Sequence, residues 1–128
     1  MTNIDLNTIT VFENYQLEKM EEGQVVLTTE VVASSLNYYG KAHGGYLFTL
    51  CDQVSGLVLR SYGLEGVTLQ SSINYLKAGQ LGDYLTIRGK ALHTGRTTQV
   101  VEVTLSNQEN KLLCRASFTM FVTGKKIS

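Results

Sequence analysis

Proline and tryptophan are both missing from this 128-residue chain, and cysteine occurs only twice. Without proline, turns must be made by Gly, Asn and Asp, which accept a positive φ or close an Asx turn; twelve glycines meet that need. Cys51 and Cys114 fall inside apolar patterns and lack metal-ligand spacing. They read as reduced core thiols, not as a disulfide or a metal site. Charge of one sign is lacking too. Eleven Lys and Arg balance eleven Asp and Glu, leaving no surplus to attract nucleic acid or an anionic membrane. No apolar run is long enough to span a bilayer. Met1 to Asp5 show neither the basic head nor the apolar stretch of a signal peptide. These features set the expectation of a cytoplasmic protein forming one domain over residues 1–128, with a core that needs no staples.

What is present organises into one helix among strands. Residues 4–12 suggest a short helix. Tyr15 to Met20, a Glu21-Glu22-Gly23 turn and Gln24 to Ala33 read as a hairpin rich in β-branched residues. Ser34 to Ala42 reads as a polar loop. From His43 to Tyr62 the period changes: Leu47, Leu50, Cys51, Val54, Leu57 and Val58 recur at three- and four-residue steps, and Gly63 is placed to cap the helix. Strands follow. Val67, Leu69, Ser71, Ile73 and Tyr75 alternate with polar residues, as do Leu85, Ile87, Gly89 and Ala91, and then Val101, Val103 and Leu105. Leu112, Cys114, Ala116, Phe118, Met120 and Val122 share one face of the last strand. About six antiparallel strands and one long helix make an α+β fold, with the helix burying its apolar face on the concave side of the sheet.

The chemistry concentrates between Asn37 and Asp52. A glycine-containing loop runs into His43-Gly44-Gly45, and the helix starts at once. Uncovered N–H groups at a helix head lie at the positive end of its dipole. They suit a carbonyl oxygen that becomes negative during acyl transfer. Two turns inside sits Asp52, a carboxylate flanked at helical spacing by Phe48, Ser55, Gly56 and Leu59, which do not form a solvated charged face. Gly44 and Asp52 are eight residues apart, about 12 Å along a straight helix. No carbonyl carbon lies within about 3 Å of both, as attack requires. Two subunits must therefore share each site, in a homodimer with roughly antiparallel helices. Blander roles stand beside these. Asp52 could cap or sit on the surface, Gly44-Gly45 could permit a tight turn, and Asn37 could be an Asx-turn residue.

The run Asn37-x-x-Gly40-x-x-His43-Gly44-Gly45-x-Leu47-Phe48-x-Leu50-x-Asp52 resembles the acyl-CoA thioesterases of the phenylacetate-degradation branch, which have the hotdog fold. Gly66-Val67-Thr68, Tyr75-Leu76-Lys77 with Gly82-Asp83, and His93-x-Gly95-Arg96 extend the likeness from Val25 to Met120. Ala78 departs from it, standing where such proteins often carry proline, a change to a turn and not to the chemistry. The resemblance implies a thioesterase acting on acyl-CoA. It assigns Gly44 as oxyanion-binding amide, Asn37 as a supporting hydrogen-bonding group, Asp52 as general base or nucleophile, and Thr68 as the hydroxyl that orients the water or the carboxylate. It places His43, Gly45, Gly95, Arg96 and Thr97 against the substrate, the last three near the pantetheine and nucleotide phosphates. It implies no metal and no cofactor, CoA being part of the substrate. The partner is a second copy in an obligate homodimer, with tetramers common among relatives. Tyr46, Phe48 and Tyr62 are candidates to flank the acyl tail. Two other functions fit the same residues: a dehydratase of 3-hydroxyacyl thioesters pairing His43 with the acid, and a non-catalytic acyl-CoA sensor.

Overall fold

The computed structural model describes residues 8–125. Strands β1 (Gln16–Glu21) and β2 (Gln24–Glu30) form the expected hairpin, with Gly23 in its turn at φ +85°. A single 3-10 turn (Ala33–Ser35) interrupts the loop that leads to α1 (Gly44–Arg60). β3 (Leu64–Tyr75), β4 (Tyr84–Thr94), β5 (Thr98–Ser106) and β6 (Leu112–Lys125) complete one antiparallel sheet, ordered β1-β2-β4-β5-β6-β3. β1 and β3 are its two edges.

α1 lies on one face of this sheet. Leu47, Leu50, Cys51, Val54 and Val58 bury the apolar stripe predicted from their spacing against Val25, Ile87, Val103, Ala116 and Phe118. Each fully buried side chain of this kind stabilises the fold by roughly 1.5–3 kcal/mol. The helix rides close to the strand backbone because Gly89 lets it: a Cβ there would stand 2.6 Å from Val54 Cγ1 and 2.9 Å from Val58 Cγ2.

Three expectations need correction. Residues 8–12 are not helical, and the rest of the expected N-terminal helix lies outside the described residues. α1 is capped by Ser61, whose N–H reaches back to Leu57 O; Gly63 comes two residues later, at φ +73°, donating its N–H to Arg60 O. The loop expected over 34–42 is present, begins in the 3-10 turn and is pinned by bridges Leu36 to Ala42 and Lys41 to Gln80. Finally, β3 does not hold one alternating face. A bulge at Leu69 shifts its phase, so that Ser71 and Ile73 face Phe118 and Ala116 while Thr68 and Gly66 face Met120 and Val122. Val67 and Leu69 consequently point outward, 55% and 59% exposed.

Candidate active site

The head of α1 is organised by its own residues. His43 is the N-cap, with extended backbone, and its Nδ1 accepts from the Gly45 N–H at 2.9 Å. A side chain at Gly45 would come within 3.0 Å of that imidazole, so the glycine lets the ring fold back over the helix end. The neighbouring Gly44 N–H meets no acceptor among the described residues. It is a free donor at the positive end of a 17-residue helix. The Gly44 carbonyl accepts from Tyr75 Oη at 2.9 Å, tying the helix head to the end of β3. Partial burial, then the nearby Cys114 and Cys51, push the Tyr75 phenol above its ordinary pKa, which keeps it a donor.

Asn37 serves the loop and leaves a donor over. Its Oδ1 accepts from the Tyr39 and Lys41 N–H groups at 2.9 and 3.1 Å, and its own N–H donates to Lys41 O. This is the Asx-turn arrangement. The side-chain amide nitrogen is the atom still able to reach a ligand. Asn37, Lys41, Gly44, Tyr75 and Lys77 line one groove.

Asp52 lies in another. It is half-buried on α1, and its Oδ1 accepts from Thr68 Oγ1 at 2.9 Å. Met120 supports the pair from β6, its Sδ 3.5 Å from Thr68 Oγ1 and 3.8 Å from Ser55 Oγ. Ser55 in turn donates to the Asp52 carbonyl at 2.7 Å. Asp52, Thr68 and Met120 line an open groove of about 580 Å³ running along α1 past Gly56 and Leu59 to Arg60 and Glu65.

Within one chain, then, Asp52 meets Thr68, and Gly44 lies beside Asn37, but the two pairs occupy different grooves. The turn carrying Gly95, Arg96 and Thr97 lines neither. It is closed by Gly95 N–H to Thr98 O at 2.8 Å, with Arg96 and Thr97 exposed. None of the three aromatics expected beside an acyl tail lines the Asp52 groove. Tyr46 is buried, Phe48 packs on Phe118 at 5.8 Å, and Tyr62 approaches Gly23. Met120, read only as a member of an alternating strand, lines the Asp52 groove, and Tyr75, read as a strand residue and within a motif of the resemblance, ties down the helix head.

Neither cysteine is poised as a nucleophile. Burial, then Cys114 and Asp52, push the Cys51 thiol up to about 12, and burial pushes Cys114 up to about 11. Among the described residues no group of three or more His, Cys, Asp or Glu is placed to hold a metal ion. No helix among them is long and apolar enough to cross a membrane.

The arrangement has known counterparts. The profile of the Thioesterase superfamily matches residues 39–114. The acyl-coenzyme A thioesterase PaaI of Escherichia coli K12 is 37% identical over 92 residues, 72% of this chain and 66% of that enzyme's length. The crystal structure of a hypothetical thioesterase protein of Streptococcus pneumoniae TIGR4, solved with coenzyme A, is 64% identical. It superposes with a TM-score of 0.95, covering 97% of this chain and 100% of that one. A Streptococcus mutans UA159 protein bound to acetyl CoA is 61% identical with a TM-score of 0.89, covering 95% and 98% of the two chains. By its matched profile, its sheet order and the residues at the head of its helix, this chain belongs to the thioesterase superfamily, as a hotdog-fold thioesterase of the PaaI-like branch.

Proposed function

We propose that the chain hydrolyses acyl-CoA thioesters in a site shared between two protomers. Asp52 and Thr68 come from one protomer, Gly44 and Asn37 from its partner copy. The observation that carries this reading is the Thr68–Asp52 hydrogen bond on the wall of one groove, with the free Gly44 N–H in another. A two-fold operation that joins β3 edges and sets the helices antiparallel would bring unlike grooves together.

The thioester oxygen would then accept from the Gly44 N–H and the Asn37 amide, while Asp52 takes a proton from water. The water oxygen adds to the carbonyl carbon, and the negative charge that develops is held at the helix head. Collapse breaks the carbon–sulfur bond, expelling the CoA thiolate, which is then protonated. Direct attack by Asp52 through an anhydride uses the same groups. Thr68 fixes the orientation of the carboxylate in either route. The exposed Gly95–Thr97 turn supplies Arg96 for the CoA phosphates. A dehydratase would require a histidine beside the acid and free to exchange a proton; the Nδ1 of His43, the residue next to Gly44, is committed to the helix cap. The test is Asp52→Asn on a panel of acyl-CoAs, read by free thiol release. Activity should fall by about 10²–10⁴-fold in a folded, assembled protein; near-native turnover overturns the mechanism.

A further inference from the structure

Gly56 occupies the middle of α1, one turn beyond Asp52 on the same face, and lines the same groove. Glycine is the poorest residue in a helix interior after proline, so its presence there needs a cause. Two causes account for other glycines in this chain. Gly63 and Gly82 adopt a positive φ. Gly66 and Gly89 permit close approach: a Cβ on Gly66 would lie 2.2 Å from Phe121 O and 2.6 Å from Leu59 Cδ2. Gly56 has neither. Its backbone is helical, and a Cβ built on it meets no atom within 4 Å. The packing of the chain itself does not require the missing side chain. Its effect is to widen the groove beside the carboxylate.

We infer that Gly56 is a specificity-determining residue: it admits the acyl group of the thioester into a slot along α1 and sets how long that group can be. The inference rests on the reading of Asp52 as the acting carboxylate. From Asp52 to Gly56 is about 6 Å along the helix axis. With the carbonyl carbon about 3 Å from the carboxylate, a chain of ~1.5 Å bonds passes Gly56 at about its fourth or fifth carbon beyond the carbonyl. In the opposite direction Phe48, one turn before Asp52, packs on Phe118 and does not line the groove. Around and beyond Gly56 the groove is lined by Leu57, Leu59 and Gly66, with the exposed Arg60 and Glu65 at its end. The slot therefore takes aliphatic or arylalkyl acyl groups of more than about five carbons, the alkyl part against Leu57 and Leu59.

The test compares Gly56→Ala and Gly56→Leu with the wild type on straight-chain acyl-CoAs from acetyl to dodecanoyl. Thermal unfolding and molecular mass in solution are measured alongside. Gly56→Ala should raise Tm by roughly 3–5 °C, since the added methyl improves helix propensity and meets nothing. The ratio of kcat/KM for octanoyl-CoA over butanoyl-CoA should fall by about 10-fold in the alanine variant and further in the leucine variant. A chain-length profile of unchanged shape overturns the inference. So does a lower Tm or a broken assembly in Gly56→Ala, which would assign the glycine to an approach between protein surfaces. Failure of the Asp52 reading is seen separately, as full activity of Asp52→Asn on the ester that the wild type hydrolyses best.

Discussion

Two inactive chains, one carrying Asp52→Asn and the other Asn37→Asp, should regenerate activity when they assemble together. Asn37→Asp is chosen because Oδ1 accepts from the Tyr39 and Lys41 N–H groups and must stay; the exchange keeps that oxygen and replaces the amide donor with a negatively charged acceptor, which opposes an oxyanion. Each variant alone damages both sites of its homodimer. Loss of the acid–base group costs about 10²–10⁴-fold, and loss of one donor to the developing oxyanion about 10²–10³-fold. In a mixed dimer one site collects both lesions. The other combines a native Asp52–Thr68 pair with a native Gly44–Asn37 pair. Half of the sites are then intact, so turnover per dimer should be about half that of the wild type. That stands well clear of parental backgrounds of about 1% or less. The assay is co-expression with two different tags, purification through both, and release of CoA thiol followed with a chromogenic disulfide. A doubly tagged protein no more active than its parents would show that the acid and the donor do not belong to one shared site. Failure to obtain any doubly tagged species would refute the dimer itself.

Thr68→Val keeps the shape of the side chain but removes the donor to Asp52; a hydrogen bond to a charged group contributes about 1.5–3 kcal/mol, so kcat/KM should fall by about 10–150-fold. Thr68→Ser should recover most of that loss, and equal activity of the two variants would count against an orienting hydroxyl. Arg96→Ala should raise KM for CoA esters more than for esters of short thiols; equal effects on both would remove the phosphate contact. Gly66→Ala should destabilise the fold by about 1–3 kcal/mol, because its methyl would overlap the Phe121 carbonyl and Leu59; an unchanged denaturant midpoint contradicts that packing. Cys51 and Cys114 should resist thiol reagents at pH 8 in the native protein and react only on unfolding. Their folded pKa values, about 12 and 11, lie above the ordinary 9.0. Unfolded chains therefore lose these protons first, and stability should fall as pH rises from 9 toward 12, their contribution being fully present below 9. Denaturant midpoints constant across that range would refute the assignment.

The elements legible in the sequence were those whose side chains alone decide their partners. α1 announced itself by the spacing from Leu47 to Val58, and β6 by its unbroken alternation from Leu112 to Val122. β3 did not, because its phase depends on where it takes up an extra residue opposite β6. Leu69 looks like a core position in the one-dimensional pattern and becomes the bulge. The helix end was misplaced for a related reason: a turn of chain after Arg60 lies between the last helical residue and the left-handed Gly63. At the site, Asp52 and Gly44 could be singled out from polarity and position. The partnership of Asp52 with Thr68, sixteen residues away, entered only through resemblance to a family, and the hydrogen bond between them is what the structure adds. Gly56, read as a neighbour of Asp52, and Met120, read as a strand-face residue, show their place in the groove only in three dimensions, because each acquires its meaning from the strand or open space opposite.

The extra residue in β3 also bears on what this edge will tolerate. A straight, unguarded strand margin recruits any extended peptide, and repeated recruitment builds fibres. Here the margin is kinked at Leu69, so its amides and carbonyls fall out of step with an ordinary ladder. Only a strand bearing a matching irregularity could follow it for more than a few residues, which discourages promiscuous stacking and favours a closed, self-limiting association.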